Sequence, residues 1–257
     1  MAVWLVTGAA RGFGRELVRQ ALAEGDVVVA TARDPSRFDL GRHERLLTLA
    51  HDVTDQARAV EVADAALARF GRIDVLVNNA GAALLGAVEE TTVEQARRVF
   101  ETNVFGLLAV TRAVLPVMRA QRSGHLVALS SMGGFAAGAG FGVYAASKFA
   151  VEGLHEALAQ ELAPLGIGVT IVEPGVFATG FAHAAARTEP MPDYELPRYD
   201  GEIEGHDPAW GVAEIRRAIA NPAAPLRLPL GRDAIGRIRA KLTAVGAELD
   251  ARGLKQN

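Results

Sequence analysis

The chain has 257 residues, half of them hydrophobic and 22% charged, with a formal net charge of −3. That composition suits a soluble globular protein with a full core, and it offers nucleic acid no cationic field. No cysteine is present, which excludes disulfides, thiolate catalysis and cysteine-ligated zinc or iron–sulfur centres and suits a reducing cytoplasm.

An apolar run at residues 3–6 stops at Thr7-Gly8. It is too short to target or span a membrane, and reads as a buried strand. A helical period follows over 12–24, then β-branched strands at 27–31 and 46–49, a helix at 56–70 and a strand at 75–78. Next come a long helix from 92 to about 121, a strand at 126–130, a helix at 144–163 and a strand at 169–173. Asp207 as N-cap, with Pro208 in the first helical position, opens a helix at 208–220. A last strand at 226–230 leads to a helix at 232–251 that Gly253 stops. On that helix Ile235, Ile238, Leu242, Val245 and Leu249 form one stripe, expected to pack on the body. Seven charge-poor strands alternating with helices predict an α/β chain: a doubly wound, seven-stranded, mostly parallel sheet, buried on both faces under helices. No linker or repeat divides the chain, so one domain is expected over 1–257. The polar stretch from Thr188 to Asp207, with prolines at 190, 192 and 197, is the candidate substrate lid, placed at about 180–207.

Directly after the first strand comes Thr7-Gly8-Ala9-Ala10-Arg11-Gly12-Phe13-Gly14. Glycines let the backbone turn sharply and approach a pyrophosphate, whose charge then meets the free N–H groups and positive end of the next helix. Further on, Tyr144 and Lys148 stand four residues apart, one turn along the same helix face. A free tyrosine titrates near 10 and a nearby ammonium favours its phenolate; a shift to about 7 takes roughly 4 kcal/mol. Ser131 ends the fifth strand, at the carboxyl edge where open α/β sheets bind ligands, and Ser130 faces the other way. Asn103 falls on an apolar helix face, a costly place for an unpartnered amide.

The glycine turn, Asn78-Asn79-Ala80-Gly81, Asn103-Val104-Phe105-Gly106, Ser131, Tyr144-Ala145-Ala146-Ser147-Lys148 and Pro174-Gly175 together resemble a classical short-chain dehydrogenase/reductase. The resemblance covers almost the whole chain, with a variable tail beyond about Thr179. It implies a Rossmann fold and an oxidoreductase that moves a hydride between a nicotinamide and a carbonyl or secondary alcohol carbon. The family's separation of thirteen residues between serine and tyrosine selects Ser131 over Ser130. By resemblance Ser131 bonds the substrate oxygen and Tyr144 gives or takes its proton. Lys148 lowers the tyrosine pKa and holds the nicotinamide ribose, while Asn103 bonds backbone in a local kink and orders a relaying water.

The implied cofactor contacts are Gly8, Arg11, Gly12, Phe13 and Gly14 at the turn, with Tyr144 and Lys148 at the other end. Asn79, Ala80 and Gly81 contact adenosine and ribose. Asp52 accepts from the adenine amino group, although the residue alone reads equally as a polar cap, and the Val53 backbone meets the ring. In Pro174-Gly175-Val176-Phe177-Ala178-Thr179, the Val176 backbone and the Thr179 hydroxyl hold the carboxamide and phosphate. The acid that binds the ribose 2′-hydroxyl of NAD corresponds to Ala32, with Arg33 beside it, so NADP(H) is expected rather than NAD(H). The opposing reading makes Asp34 that acid.

The expected substrate is a small carbonyl or alcohol compound. Phe135, Phe141, Phe177 and Phe181 flank the cleft or fill the core, and a hydrophobic substrate follows from the first case. The helices around 100–118 and 149–162 are apolar on more than one face, and in the resembling family they pair, so a homodimer or homotetramer is expected. No metal site is expected, because His51, His155, His183 and His206, with Tyr194, Tyr199 and Trp210, have no ligand spacing. Two rivals remain: a non-catalytic dinucleotide sensor or scaffold on the same fold, and an epimerase or dehydratase of nucleotide-sugars. A hydrolase is disfavoured, since Gly-x-Ser-x-Gly does not occur.

Overall fold

Charge-free runs rich in valine need cover on both faces. In the computed structural model, which describes residues 1–38, 41, 43–196 and 204–253, most of them receive it. The strands are β1 (Val3–Val6), β2 (Val27–Ala32), β3 (Leu46–Ala50), β4 (Val75–Asn78), β5 (Leu84–Leu85), β6 (Gly124–Leu129), β7 (Ile167–Pro174), β8 (Ala186–Arg187) and β9 (Arg227–Leu230). Seven form one sheet in the order β3-β2-β1-β4-β6-β7-β9, and all their pairs are parallel. The helices are α1 (Gly12–Ala23), α2 (Gln56–Phe70), α3 (Val93–Phe100), α4 (Leu107–Gln121), α5 (Gly142–Leu162), α6 (Pro208–Ile219) and α7 (Arg232–Ala251).

The pleat sorts the core into two layers. Trp4, Val6 and Val28 point to one face, where Leu17 and Val18 of α1 and Val212 and Ile215 of α6 cover them. Leu5, Val29 and Leu76 point to the other, under Val62 of α2, Val110 and Val114 of α4 and Leu162 of α5. The strand order reverses between β1 and β4, which opens a crevice at their carboxyl ends. The glycine turn and Asn78 both lead out of those ends.

Four departures from the sequence reading have physical causes. β3 is not buried on both faces; it is the outermost strand, with Thr48 and Ala50 exposed. The long helix is interrupted, since a π-helix at Glu101–Gly106 joins α3 to α4. By length and composition Val93–Gln121 also passes for a membrane span, yet Val99, Val110, Val114 and Met118 are buried in the protein. A two-residue parallel ladder joins β5 to β8 at Leu84↔Ala186 and Leu85↔Arg187, too short to leave a periodic signal.

Finally, the stripe on α7 does not pack on the body. Only Ala234 is buried, while Ile235, Leu242 and Leu249 are 42%, 56% and 57% exposed. The helix touches the body through its first turns, by Asp233 and by Arg237, which donates to the Ala136 carbonyl, and then runs clear. The candidate lid at about 180–207 includes 197–203, and with them Tyr199, outside the described residues. Asp207 caps α6 as expected, accepting from the Ala209 N–H at 2.8 Å.

Candidate active site

The glycine turn is built around Thr7. Its Oγ1 accepts from the Asn79 and Ala80 N–H groups, both at 3.0 Å, and Asn79 Nδ2 donates back to the carbonyls of Thr7 (2.8 Å) and Gly8 (3.0 Å). The two loops press together. A Cβ on Gly8 would lie 2.8 Å from Ala80 Cα, and one on Gly14 would lie 2.5 Å from Asn79 Nδ2. Gly8 and Gly12 also have φ of +63° and +53°, which L side chains resist. α1 then starts after Arg11 with no side-chain cap and no acid in its first turn. An uncapped helix start beside glycines fits the pyrophosphate of a dinucleotide. Phe13 packs inward on the Phe177 ring at 4.8 Å, so only its backbone is available to that group.

At the end of β2, Ala32 is buried and presents no carboxylate. Asp34 is engaged locally, accepting from Ser36 Oγ (2.6 Å) and the Ser36 N–H (3.0 Å). Those two bonds hold its carboxyl below the usual range, and the reading of Asp34 as the ribose acid loses support. Arg33 and Arg11 are exposed and, among the described residues, in no ion pair. Asp52 accepts from Thr54 N–H and Oγ1, which is the polar-cap arrangement. Val53 is buried against Gly106, where a Cβ would come within 2.8 Å of its Cγ2.

Ser131, Tyr144, Lys148 and Asn103 converge at the carboxyl edge of β6. Ser131 accepts from the Gly133 N–H at 3.0 Å, and its hydroxyl and the Tyr144 ring both lie beside Gly133. Ser130 turns away, toward Glu152. Lys148 Nζ donates to the Leu129 carbonyl at 2.6 Å and sits 5.9 Å from the centre of the Tyr144 ring. Asn103, in the π-helix, accepts from the Ala82 N–H (2.8 Å) and donates to the Ala82 carbonyl and Ser147 Oγ (2.9 Å each). Ser147 Oγ in turn donates to the Tyr144 carbonyl at 2.6 Å. The apolar-face amide is thus fully partnered, and it ties the loop after β4 to α5.

The expected fall in the Tyr144 pKa is not produced by the chain's own groups. Burial pushes the phenol up to about 12, with the neighbouring Ser131 hydroxyl working against it, and burial brings Lys148 down to about 8. The lysine's donor is directed at a backbone carbonyl rather than at the phenol. Of the four phenylalanines, Phe181 (5.8 Å between ring centres) and Phe141 (6.5 Å) stand against Tyr144, with Leu85 nearby. The other two lie elsewhere: Phe177 against Phe13 and Trp210, and Phe135 under the Arg227 guanidinium.

The Pro174–Thr179 loop lies over the turn, and a Cβ on Gly12 would meet Thr179 Cβ at 3.0 Å. The Val176 N–H donates to Asp233 Oδ2 (2.7 Å), which engages its one proton, while its carbonyl accepts from the His206 N–H (2.8 Å) and keeps a second lone pair. Phe177, the next residue, has an N–H with no acceptor among the described residues. Asp233 is the functional candidate that sequence reading missed. An acid in a helix's first turn is an ordinary dipole partner, and nothing local announces a contact 57 residues away.

Behind the lysine lies a buried acidic cluster. Arg227 faces Glu152 (3.2 Å), Glu173 (3.3 Å) and Glu156. Burial raises Glu152, and burial together with the Glu152 charge raises Glu173 to about 7. No group of metal-ligating residues occurs among the described residues.

Comparison with known proteins places this geometry in a lineage. The family model described as short chain dehydrogenase matches residues 2–190. Oxidoreductase BOA17 of Botryotinia fuckeliana is 35% identical over 91% of this chain and 90% of its own. Human retinol dehydrogenase 8 is 39% identical over 87% and 79% of the two chains. The crystal structure of a short-chain dehydrogenase from Streptomyces avermitilis is 45% identical, with a TM-score of 0.92 over 99% of this chain and all of the other. Solved structures of this fold carry different dinucleotides. A Burkholderia cenocepacia short chain dehydrogenase in complex with NADP is 27% identical (TM-score 0.78, 99% and 98% covered). One from Burkholderia phymatum in complex with NAD is 24% identical and shares the fold (TM-score 0.83, 96% and 95% covered).

Proposed function

This chain belongs to the short-chain dehydrogenase family and is an oxidoreductase of alcohol and carbonyl groups that uses a nicotinamide dinucleotide; from that premise we propose that it prefers NADP(H) and reduces hydrophobic carbonyl compounds or oxidises the matching secondary alcohols. One observation carries the reading: Ser131, Tyr144 and Lys148 converge at the carboxyl edge of β6, beside a glycine turn that leaves a helix start open to a diphosphate. The bound dinucleotide supplies or accepts the hydride. Ser131 holds the substrate oxygen. Tyr144 gives its phenolic proton to that oxygen in reduction and takes it back in oxidation. Lys148, fixed by the Leu129 carbonyl, holds a positive charge near the ring and takes the part of ribose ligand in this reading. Asn103 keeps the loop after β4 and the start of α5 in register.

Cofactor preference rests on the end of β2. Ala32 supplies no acid, Asp34 is occupied by Ser36, and Arg33 with Arg11 supplies cations for a 2′-phosphate. Phe141, Phe181 and Leu85 around Tyr144 support an apolar substrate. Phe105 and Phe149, exposed on the π-helix and on α5, support pairing of two copies through those helices. The direct test is a panel of ketones, aldehydes, steroids and quinones incubated with NADPH and NADH and followed by loss of reduced-nicotinamide absorbance. Turnover of apolar carbonyls with NADPH is expected; faster turnover with NADH, or of charged substrates only, contradicts the proposal.

A further inference from the structure

α7 begins immediately after β9, and Asp233 in its first turn is shared between two segments far away in sequence. Its Oδ2 accepts from the Val176 N–H at 2.7 Å and its Oδ1 from His206 Nε2 at 3.0 Å. Two glycines clear the space for it. A Cβ on Gly175 would lie 2.2 Å from both carboxylate oxygens, and one on Gly231 would lie 2.4 Å from Oδ1 and 2.6 Å from His206 Nε2.

His206 completes the arrangement through its backbone. Its N–H donates to the Val176 carbonyl (2.8 Å), and its carbonyl accepts from the Ala178 N–H (3.0 Å), a one-residue parallel bridge beside Phe177. The Phe177 ring stacks on Trp210 at 6.0 Å, and His206 tilts against both rings. The loop that overlies Gly12 is therefore held from α7 by one carboxylate and from its side by His206. A charged acceptor on a backbone N–H is among the stronger single contacts available to such a loop.

Building on the proposed function, we infer that Asp233 is a positioning residue for the cofactor site, acting on the loop that overlies the glycine turn. It acts through Val176: by holding that N–H it fixes the peptide that precedes Phe177 and sets where Thr179 lies over the glycine turn. A purely structural clasp would lower stability without a selective effect on dinucleotide binding, which separates the two roles.

The test measures NADPH affinity by nucleotide fluorescence, together with kcat and KM for one carbonyl substrate, on the full chain. Asp233→Ala is expected to weaken NADPH at least tenfold, with a smaller change in substrate KM. Asp233→Asn keeps an oxygen acceptor for the Val176 N–H and is expected to restore affinity to within about threefold of the parent. Gly175→Ala, which forces the carboxylate aside without removing it, is expected to mimic Asp233→Ala and serves if that variant fails to fold. Folded Asp233→Ala or Gly175→Ala protein that binds NADPH as the parent does would overturn the inference, as would an Asp233→Asn variant no better than Asp233→Ala. A parent chain that binds no dinucleotide overturns the functional reading and this inference with it.

Discussion

Replacing Glu173 with Gln removes a buried proton-binding group whose cost can be worked out from its surroundings. Glu173 is 1% exposed at the end of β7, facing Arg227 at 3.3 Å, which it shares with the buried Glu152 at 3.2 Å. Two buried carboxylates opposite one guanidinium leave an excess of negative charge. Burial first, then the Glu152 charge, raises Glu173 from 4.5 to about 7. A pKa raised on folding contributes stability that is fully present below the unfolded value and is lost as pH rises through the folded one. The window therefore runs from about pH 4.5 to about pH 7, and a rise of that size corresponds to about 3 kcal/mol. For a chain of this length that is about 6–12 °C in Tm. Melting curves of parent and Glu173→Gln between pH 5 and 8.5 provide the assay. The variant is expected to gain on the parent by about that margin as pH rises. Two curves that stay parallel across the range would refute the buried-proton account.

Other consequences can be checked at the same bench. Arg33→Ala is expected to weaken NADPH by about tenfold or more while changing NADH little, because a charge-assisted bond contributes about 1.5–3 kcal/mol before solvent screening; parallel titration of both dinucleotides reads the difference. Ala32→Asp is expected to reverse the preference in the same titrations. Charge placed on the exposed aromatic face, as Phe105→Glu with Phe149→Glu, is expected to turn an oligomer into a 27 kDa monomer in sedimentation, and an unchanged assembly would remove those helices from the interface.

Much of this molecule is legible in its amino-acid sequence, for identifiable reasons. Charge-free strands such as β1 and β4, buried along their whole length, leave one environment open to them, and the 3.6 period of α2 marks both its ends. The turn and the Tyr144–Lys148 pair are legible because their chemistry lies in local spacing. What escapes depends on distance in sequence. The exposure of the α7 stripe follows from where the body ends, which the stripe itself does not encode. The upward shift of Tyr144 follows from burial under Phe141 and Phe181, and the occupation of the Val176 N–H from an acid on α7. The β5–β8 ladder is two residues long, below the length at which alternation carries information.

The central claim is that Tyr144 transfers the proton while the chain's other groups hold the dinucleotide and substrate. One measurement reaches it directly: single-turnover oxidation of bound NADPH by an apolar ketone, in the parent and in Tyr144→Phe, with NADPH affinity measured on the same samples. The account predicts that Tyr144→Phe binds NADPH nearly as the parent does and oxidises it at least about a hundredfold more slowly, the low end of general acid–base contributions. A variant that keeps the parent's rate, or that loses NADPH binding instead of turnover, would contradict it.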